Sequence, residues 1–174
     1  YALNNSFASG GTTSITNSGT VTKNATGNIT STGAFSTTGD VNLAANITTT
    51  DTNLTIGGNL VIAEAATPTL STGAGTAGNV LVSGTTNGTT GGVAETLTVQ
   101  AGTGTATFTG NVGNNANGTE LEALTITNAA ATTFSGTLDL ANALTQTNAA
   151  TGTTTFTGAV AVGSADLKGT AYAL

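Results

Sequence analysis

The sequence predicts an all-β fold, a parallel β-helix (β-solenoid) with about 20–26 residues per coil, the repeat length expected of stacked units. Three observations predict it. A short phrase recurs seven times: an apolar residue, a gap, a glycine, then apolar residues at alternate positions. Within each copy the apolar residues and the glycine share one parity while Thr, Ser and Asn take the other, which is the period of an extended strand. The composition agrees. Thr, Gly, Ala and Asn dominate, charged residues are 6% of the chain and there is one proline. Thr, Asn and Gly are poor helix formers, whereas Thr and Val suit strands and Gly and Asn suit tight corners.

The clearest copies give the core rungs Phe108, Gly110 and Val112; Phe134, Gly136 and Leu138; and Phe156, Gly158 and Val160. Ile56, Gly58 and Leu60 fit the same template, and Gly78 with Val80 keeps its second half. Ile15, Gly19 and Val21, and Phe35, Gly39 and Val41, carry two extra residues before their glycines and match each other in that insertion. The template glycines are therefore separated by 20, 19, 20, 32, 26 and 22 residues. Each glycine either makes room beside an aromatic ring or bends the strand at a corner.

Taken in order, the chain reads as short strands around 14–16, 20–23, 28–30, 34–36 and 40–43, punctuated by Asn-Ser-Gly and Thr-Thr-Gly turns. Residues 47–62 continue the pattern. A helical turn or a corner loop is expected over 63–68, before the proline. The low-complexity stretch 84–92 reads as a loop protruding from the stack, followed by strands at 96–99 and 124–127 with a turn cluster at 113–118 between them. Residues 1–174 form one solenoid unit or a segment of a longer array, its coils stacking at about 4.8 Å with outward Thr and Asn aligned in hydrogen-bonding ladders. Uncapped end coils would invite edge association. Tyr1-Ala2-Leu3 recurs as Tyr172-Ala173-Leu174, either by coincidence or because end coils continue into the next unit. The competing architecture is a β-sandwich, pilin-like subunit in which a segment near 4–21 inserts as a strand into its neighbour. A solenoid places the template glycines in one column; a sandwich scatters them.

Net charge of −6 with two lysines and no arginine excludes the basic footprint of a nucleic-acid binder. No run of 18 apolar residues spans a membrane. The absence of cysteine removes disulfides and thiolate metal sites. A chain that also lacks Met, Trp and His, starts at Tyr1 and is nearly without Lys or Arg suits a durable, exported, processed material.

The phrase Thr-Phe-Thr-Gly-x-Val, with Leu124-Thr125-Ile126-Thr127-Asn128-Ala129 and Gly152-Thr153-Thr154-Thr155-Phe156, resembles the β-strand-repeat regions of large bacterial surface proteins. These are the filamentous-haemagglutinin-like and autotransporter passenger adhesins. The resemblance is best over 96–163. It implies a right-handed parallel β-helix, exported and attached to the cell surface, with no catalytic residues to carry over.

Chemistry has few candidates. Without histidine, acid–base work falls to the carboxylates Asp40, Asp51, Glu64, Glu95, Glu120, Glu122, Asp139 and Asp166. Glu120 and Glu122, two apart on a strand, would share a face as a glycan-cleaving pair does, but such sites also need aromatic platforms and the chain has two Tyr and no Trp. No EF-hand or calcium nonapeptide motif occurs, and Asp40 and Asp51 are too isolated to predict a metal. Sequons at Asn4, Asn24, Asn28, Asn46, Asn53, Asn87 and Asn117 offer glycosylation sites in a source that glycosylates exported proteins. Phe108, Phe134 and Phe156 share the parity of the core and read as a stack. Thr-x-Thr pairs at 107–109 and 155–157, approximated at 133–135 and 53–55, leave an ice- or glycan-binding solenoid as a further alternative. The expectation is a non-enzymatic extracellular structural protein without cofactor, forming a surface fibre, sheath, layer or adhesin stalk. Its partners would be copies of itself and host or environmental surfaces or glycans.

Overall fold

The computed structural model describes residues 1–75, 78–89, 95–114, 117–147 and 152–174. Twenty-one strands run from β1 (Ala2–Leu3) to β21 (Ala171–Ala173), most of them three or four residues long, and no helix occurs among the described residues. Every strand pair is parallel, and each strand pairs with the third one along the chain through the first five coils. The result is a three-sided β-solenoid. Its first sheet is β1-β4-β7-β10-β13, its second β2-β5-β8-β11-β14-β16-β18-β20, and its third β3-β6-β9-β12-β15-β17-β19-β21. The first side continues past β13 (Thr86–Asn87) through bridges from Thr86 to Val112 and from Val112 to Leu138. Thereafter β18 (Leu138–Gln146) and β20 (Val160–Asp166) run round the corner and serve two sides at once.

Strand residues alternate as the pleat requires. Val41–Leu43, Ile47–Thr49, Leu54–Ile56 and Leu60–Ile62 each bury their outer two residues and leave the middle one partly exposed. Because coils stack in register, each inward residue lies on its counterpart in the next coil. Val21, Val41, Leu60, Thr86, Val112, Leu138 and Val160 form one such column. Another runs Ile56, Val82, Phe108, Phe134 and Phe156. Its three rings are stacked at centroid separations of 5.3 and 5.4 Å with 7° between planes, within the geometry that adds to simple burial.

Read along the first side, the coils are 20, 20, 19, 26, 26, 26 and 22 residues long. The 32-residue interval expected from the glycines therefore does not exist. The glycine column is Gly19, Gly39, Gly58, Gly84, Gly110, Gly136 and Gly158, and from Gly39 onward each Cβ position is directed at the glycine or its neighbour one coil before. Gly78 belongs instead to a different corner, where its carbonyl underlies Gly104. Val80 accordingly pairs with Leu54 and Ala106 on the third side, not with Leu60. Six of the seven template glycines share one column, so the sandwich is overturned and the solenoid stands. Two further corrections follow from the same register. Phe35 pairs with Leu54, two residues ahead of the aromatic column, which Thr37 occupies in that coil. Ile15 does pair with Thr37, so the two early copies are not equivalent. Only the first has a longer corner, filled by Asn17, which accepts a hydrogen bond from the Gly39 amide at 2.9 Å and donates to the Gly19 carbonyl.

Within the expected loop 84–92, Thr86–Asn87 is β13, part of the first sheet, and Gly84 is the corner glycine of the wall. The remainder, 90–92, lies outside the described residues. The stretch 63–68 is a turn: the Ala66 amide donates to Ala63 O at 2.9 Å and Ala65 has φ 57°. Tyr1-Ala2-Leu3 starts the first side on β1, whereas Tyr172-Ala173 lies on β21 of the third side. The recurrence thus marks no equivalent positions.

Candidate functional surface

The corners are built by two cooperating residue types. At the glycine corner the coils approach so closely that a side chain has no room. A Cβ on Gly58 would lie 2.5 Å from the Gly39 carbonyl carbon, and one on Gly136 2.7 Å from that of Gly110. The φ angles at these glycines are ordinary, so the requirement is close backbone approach and not a left-handed turn. Beside them, Asn and Asp carboxyl or carboxamide oxygens bind the backbone of the next coil. The Asn59 amide donates to Asp40 Oδ1 at 2.7 Å, and the Thr85 amide and hydroxyl both donate to Asn59 Oδ1 at 2.9 and 3.0 Å. Asn111 Oδ1 repeats this for Thr137 at 3.0 Å. The corner before the third side uses Asn53 and Asn79, and the corner before the second uses Asn28 and Asn46. All three corners thus satisfy backbone donors that the strands leave over.

The candidate carboxylates are dispersed along this frame. Asp40 belongs to a corner ladder. Glu95 is buried at 3% exposure, and its Oε1 accepts from the Thr89 hydroxyl at 2.5 Å. Glu120 precedes β16 (Leu121–Asn128) and Glu122 follows the buried Leu121; the register shift against β18 falls between Leu121 and Ala123, with the extra residue in β18. Glu122 accepts from Asn142 Nδ2 at 3.2 Å, while Glu120 Oε2 is buried without a hydrogen-bond partner. Asp166 pairs with Lys168 at 3.4 Å on the exposed last coil. Among the described residues no three or more His, Cys, Asp or Glu stand together as a metal-binding group. No helix there is long and apolar enough to cross a membrane.

Sequence reasoning passed over Lys23. It is 1% exposed, directed inward from β4 (Val21–Lys23), and its ammonium donates to the carbonyls of Leu3, Asn24 and Thr26 at 3.2, 2.8 and 2.8 Å. Three donors meet three acceptors, and desolvation by burial lowers its pKa from the usual lysine value. The sequence signal was its parity, which it shares with the buried Leu43 and the partly buried Leu3 in its column.

Of the sequons, Asn28, Asn46 and Asn53 spend their carboxamide oxygens on corner ladders. Asn24 Nδ2 donates to Asn4 Oδ1 at 2.7 Å, Asn87 Oδ1 is buried without a partner, and Asn117 is exposed.

Two kinds of surface remain. Among the described residues the large exposed apolar side chains all belong to the first and last coils: Tyr1, Val160, Tyr172 and Leu174, the last 99% exposed. Between them, the third sheet turns a regular, uncharged face outward. None of its eight strands carries a charged residue, and none of its strand pairs shows a register shift. No protein family matches this chain, and neither a curated protein nor a solved structure does.

Proposed function

We propose that this chain is a non-enzymatic structural segment of an exported surface fibre, sheath, layer or adhesin stalk, in the manner of the bacterial surface proteins that its Thr-Phe-Thr-Gly-x-Val phrases resemble. The observation that carries the reading is the contrast between its walls and its ends. Along the walls the coils satisfy one another through parallel pairing and corner ladders. At the last coil β20 and β21 each keep one unpaired edge, and Val160 and Tyr172 are 41% and 43% exposed above a continuous core. Parallel pairing and column stacking extend without limit when a further coil is supplied, either by more of the same polypeptide or by another copy. A rod of this kind transmits length and carries load. Its function is then extension, and no reaction is required of it.

The purified chain is examined by electron microscopy and by sedimentation over a hundredfold concentration range. Filaments, sheets or concentration-dependent growth of rods are expected. Replacement of Val160 and Tyr172 by lysine places charge on the open end and is expected to abolish that growth. Monodisperse particles at every concentration, unchanged by those substitutions, would refute assembly between copies.

A further inference from the structure

The outer surface of the third sheet is unlike the rest of the molecule. Over β15 (Thr105–Phe108), β17 (Ala131–Phe134) and β19 (Thr153–Phe156) it presents three residues per coil, alternating with the buried Ala106, Phe108, Thr132, Phe134, Thr154 and Phe156. Seven of those nine outward positions are Thr, the others being Ala131 and Ser135. Thr107, Thr133 and Thr155 stand directly opposite one another. The spacing is about 4.8 Å from coil to coil and about 6.7 Å between alternate residues along a strand, so the hydroxyls make a nearly rectangular net.

Six of the seven threonine hydroxyls are also unspent: those of Thr107, Thr109, Thr133, Thr153, Thr155 and Thr157 make no hydrogen bond within the described chain, and Thr105 alone donates, to Asn79 Oδ1 at 3.1 Å. A β-branched side chain on a strand has few rotamers, so each hydroxyl and its methyl are held in place by the sheet. Methyl rows cannot bond water, so waters over them bond to one another; hydroxyls at the same spacing anchor that layer from its edges. No charge disturbs it. Neither an aromatic ring nor a carboxylate projects from these three strands to stack on or grip a sugar. The second sheet is a useful contrast. It also aligns Thr98, Thr125 and Thr145, but its column ends on Asp166 and its pairings shift register three times.

From this net we propose that the outer face of the third sheet over these coils binds the surface of ice, holding an ordered water layer that merges with the crystal. The proposal stands apart from assembly: a single rod carries the whole net.

Freezing hysteresis and inhibition of ice recrystallisation are measured on the intact chain, on Thr133→Tyr at the centre of the net, and on Thr125→Tyr at the matching place on the second sheet. Circular dichroism melts confirm that each variant folds; both positions are partly exposed. The parent chain is expected to shape ice and arrest recrystallisation. Thr133→Tyr is expected to lose most of that effect and Thr125→Tyr to keep it. A parent chain that is inert in both assays overturns the proposal, as does full activity in folded Thr133→Tyr. Retention on crystalline cellulose or chitin without any effect on ice would assign the face to a polysaccharide and overturn it equally.

Discussion

Phe134 offers the sharpest test of the column-stacked core. Its ring lies between Phe108 and Phe156 at 5.3 and 5.4 Å, parallel to both within 7°, and it is 1% exposed. Phe134→Leu keeps an aliphatic group of similar bulk at a column already continued by Val82 and Ile56 two and three coils before. What it removes is two ring pairs, each worth about 0.5–1.5 kcal/mol beyond burial, so the expected loss is about 1–3 kcal/mol. Phe156→Leu removes one pair at a site 6% exposed and should cost about half as much by the same rule. Phe134→Ala adds a cavity and should cost about 3–5 kcal/mol. Urea titrations followed by far-UV circular dichroism measure all three. The double variant Phe108→Leu with Phe134→Leu closes a cycle whose coupling term should approach one ring pair. If Phe134→Leu costs no more than Phe156→Leu and the cycle shows no coupling, the stack contributes only burial and the column argument fails.

The corners and the buried lysine give further outcomes. Gly110→Ala would direct a methyl at the Gly84–Thr85 backbone, with Thr85 N at 2.8 Å, and is expected to cost about 1–3 kcal/mol; Gly10→Ala, with nothing within 4 Å, should melt like the parent chain. Asn59→Ala removes the shared acceptor of the Thr85 amide and hydroxyl, both bonds being exposed, and should cost about 0.5–1.5 kcal/mol, while Asn59→Asp keeps the accepting oxygen, as Asp40 does one coil earlier, and should be milder. Lys23 carries a pH signature of definite sign. Its folded pKa is lowered by desolvation, so between that value and the unfolded value of about 10.4 the unfolded chain holds more protons and stability rises with pH. Chemical denaturation from pH 7 to 10.5 should show this rise in the parent chain, flattened in Lys23→Met. Parallel profiles would mean that the three carbonyls fully offset the burial of charge.

Much of this architecture was legible because its physics is local. Three-residue strands need only β-branched and apolar residues at alternate positions, and a corner where backbones touch needs glycine. Period and parity together therefore indicated stacked coils, the inward rungs and the aromatic column. The bulges around Leu121 and Leu140 left no such mark. They arise where β16, β18 and β20 turn a corner without a separate strand on each side, a property of neighbouring coils and not of any one segment. The Thr net was visible as scattered Thr-x-Thr pairs; only register places them opposite one another.

The misplaced rung shows why register is the harder quantity. Gly78-Asn79-Val80 and Gly110-Asn111-Val112 are the same tripeptide, and in both the asparagine oxygen accepts the amide of a threonine in the following coil, Thr105 at 2.9 Å and Thr137 at 3.0 Å. Both glycines also lie against the backbone of another coil. Yet one tripeptide leads into the third side and the other into the first. The phrase encodes a corner: close approach, a side-chain acceptor, then an inward apolar residue. A three-sided solenoid has three corners that pose the same problem, and Gly-Asn-apolar phrases occur at all of them, Gly27-Asn28-Ile29 leading into the second side. Which corner a phrase occupies is set by the column it must continue. Gly84, in a Ser-Gly-Thr-Thr context with no apolar residue beside it, continues the column because Gly58 and Gly110 lie on either side of it.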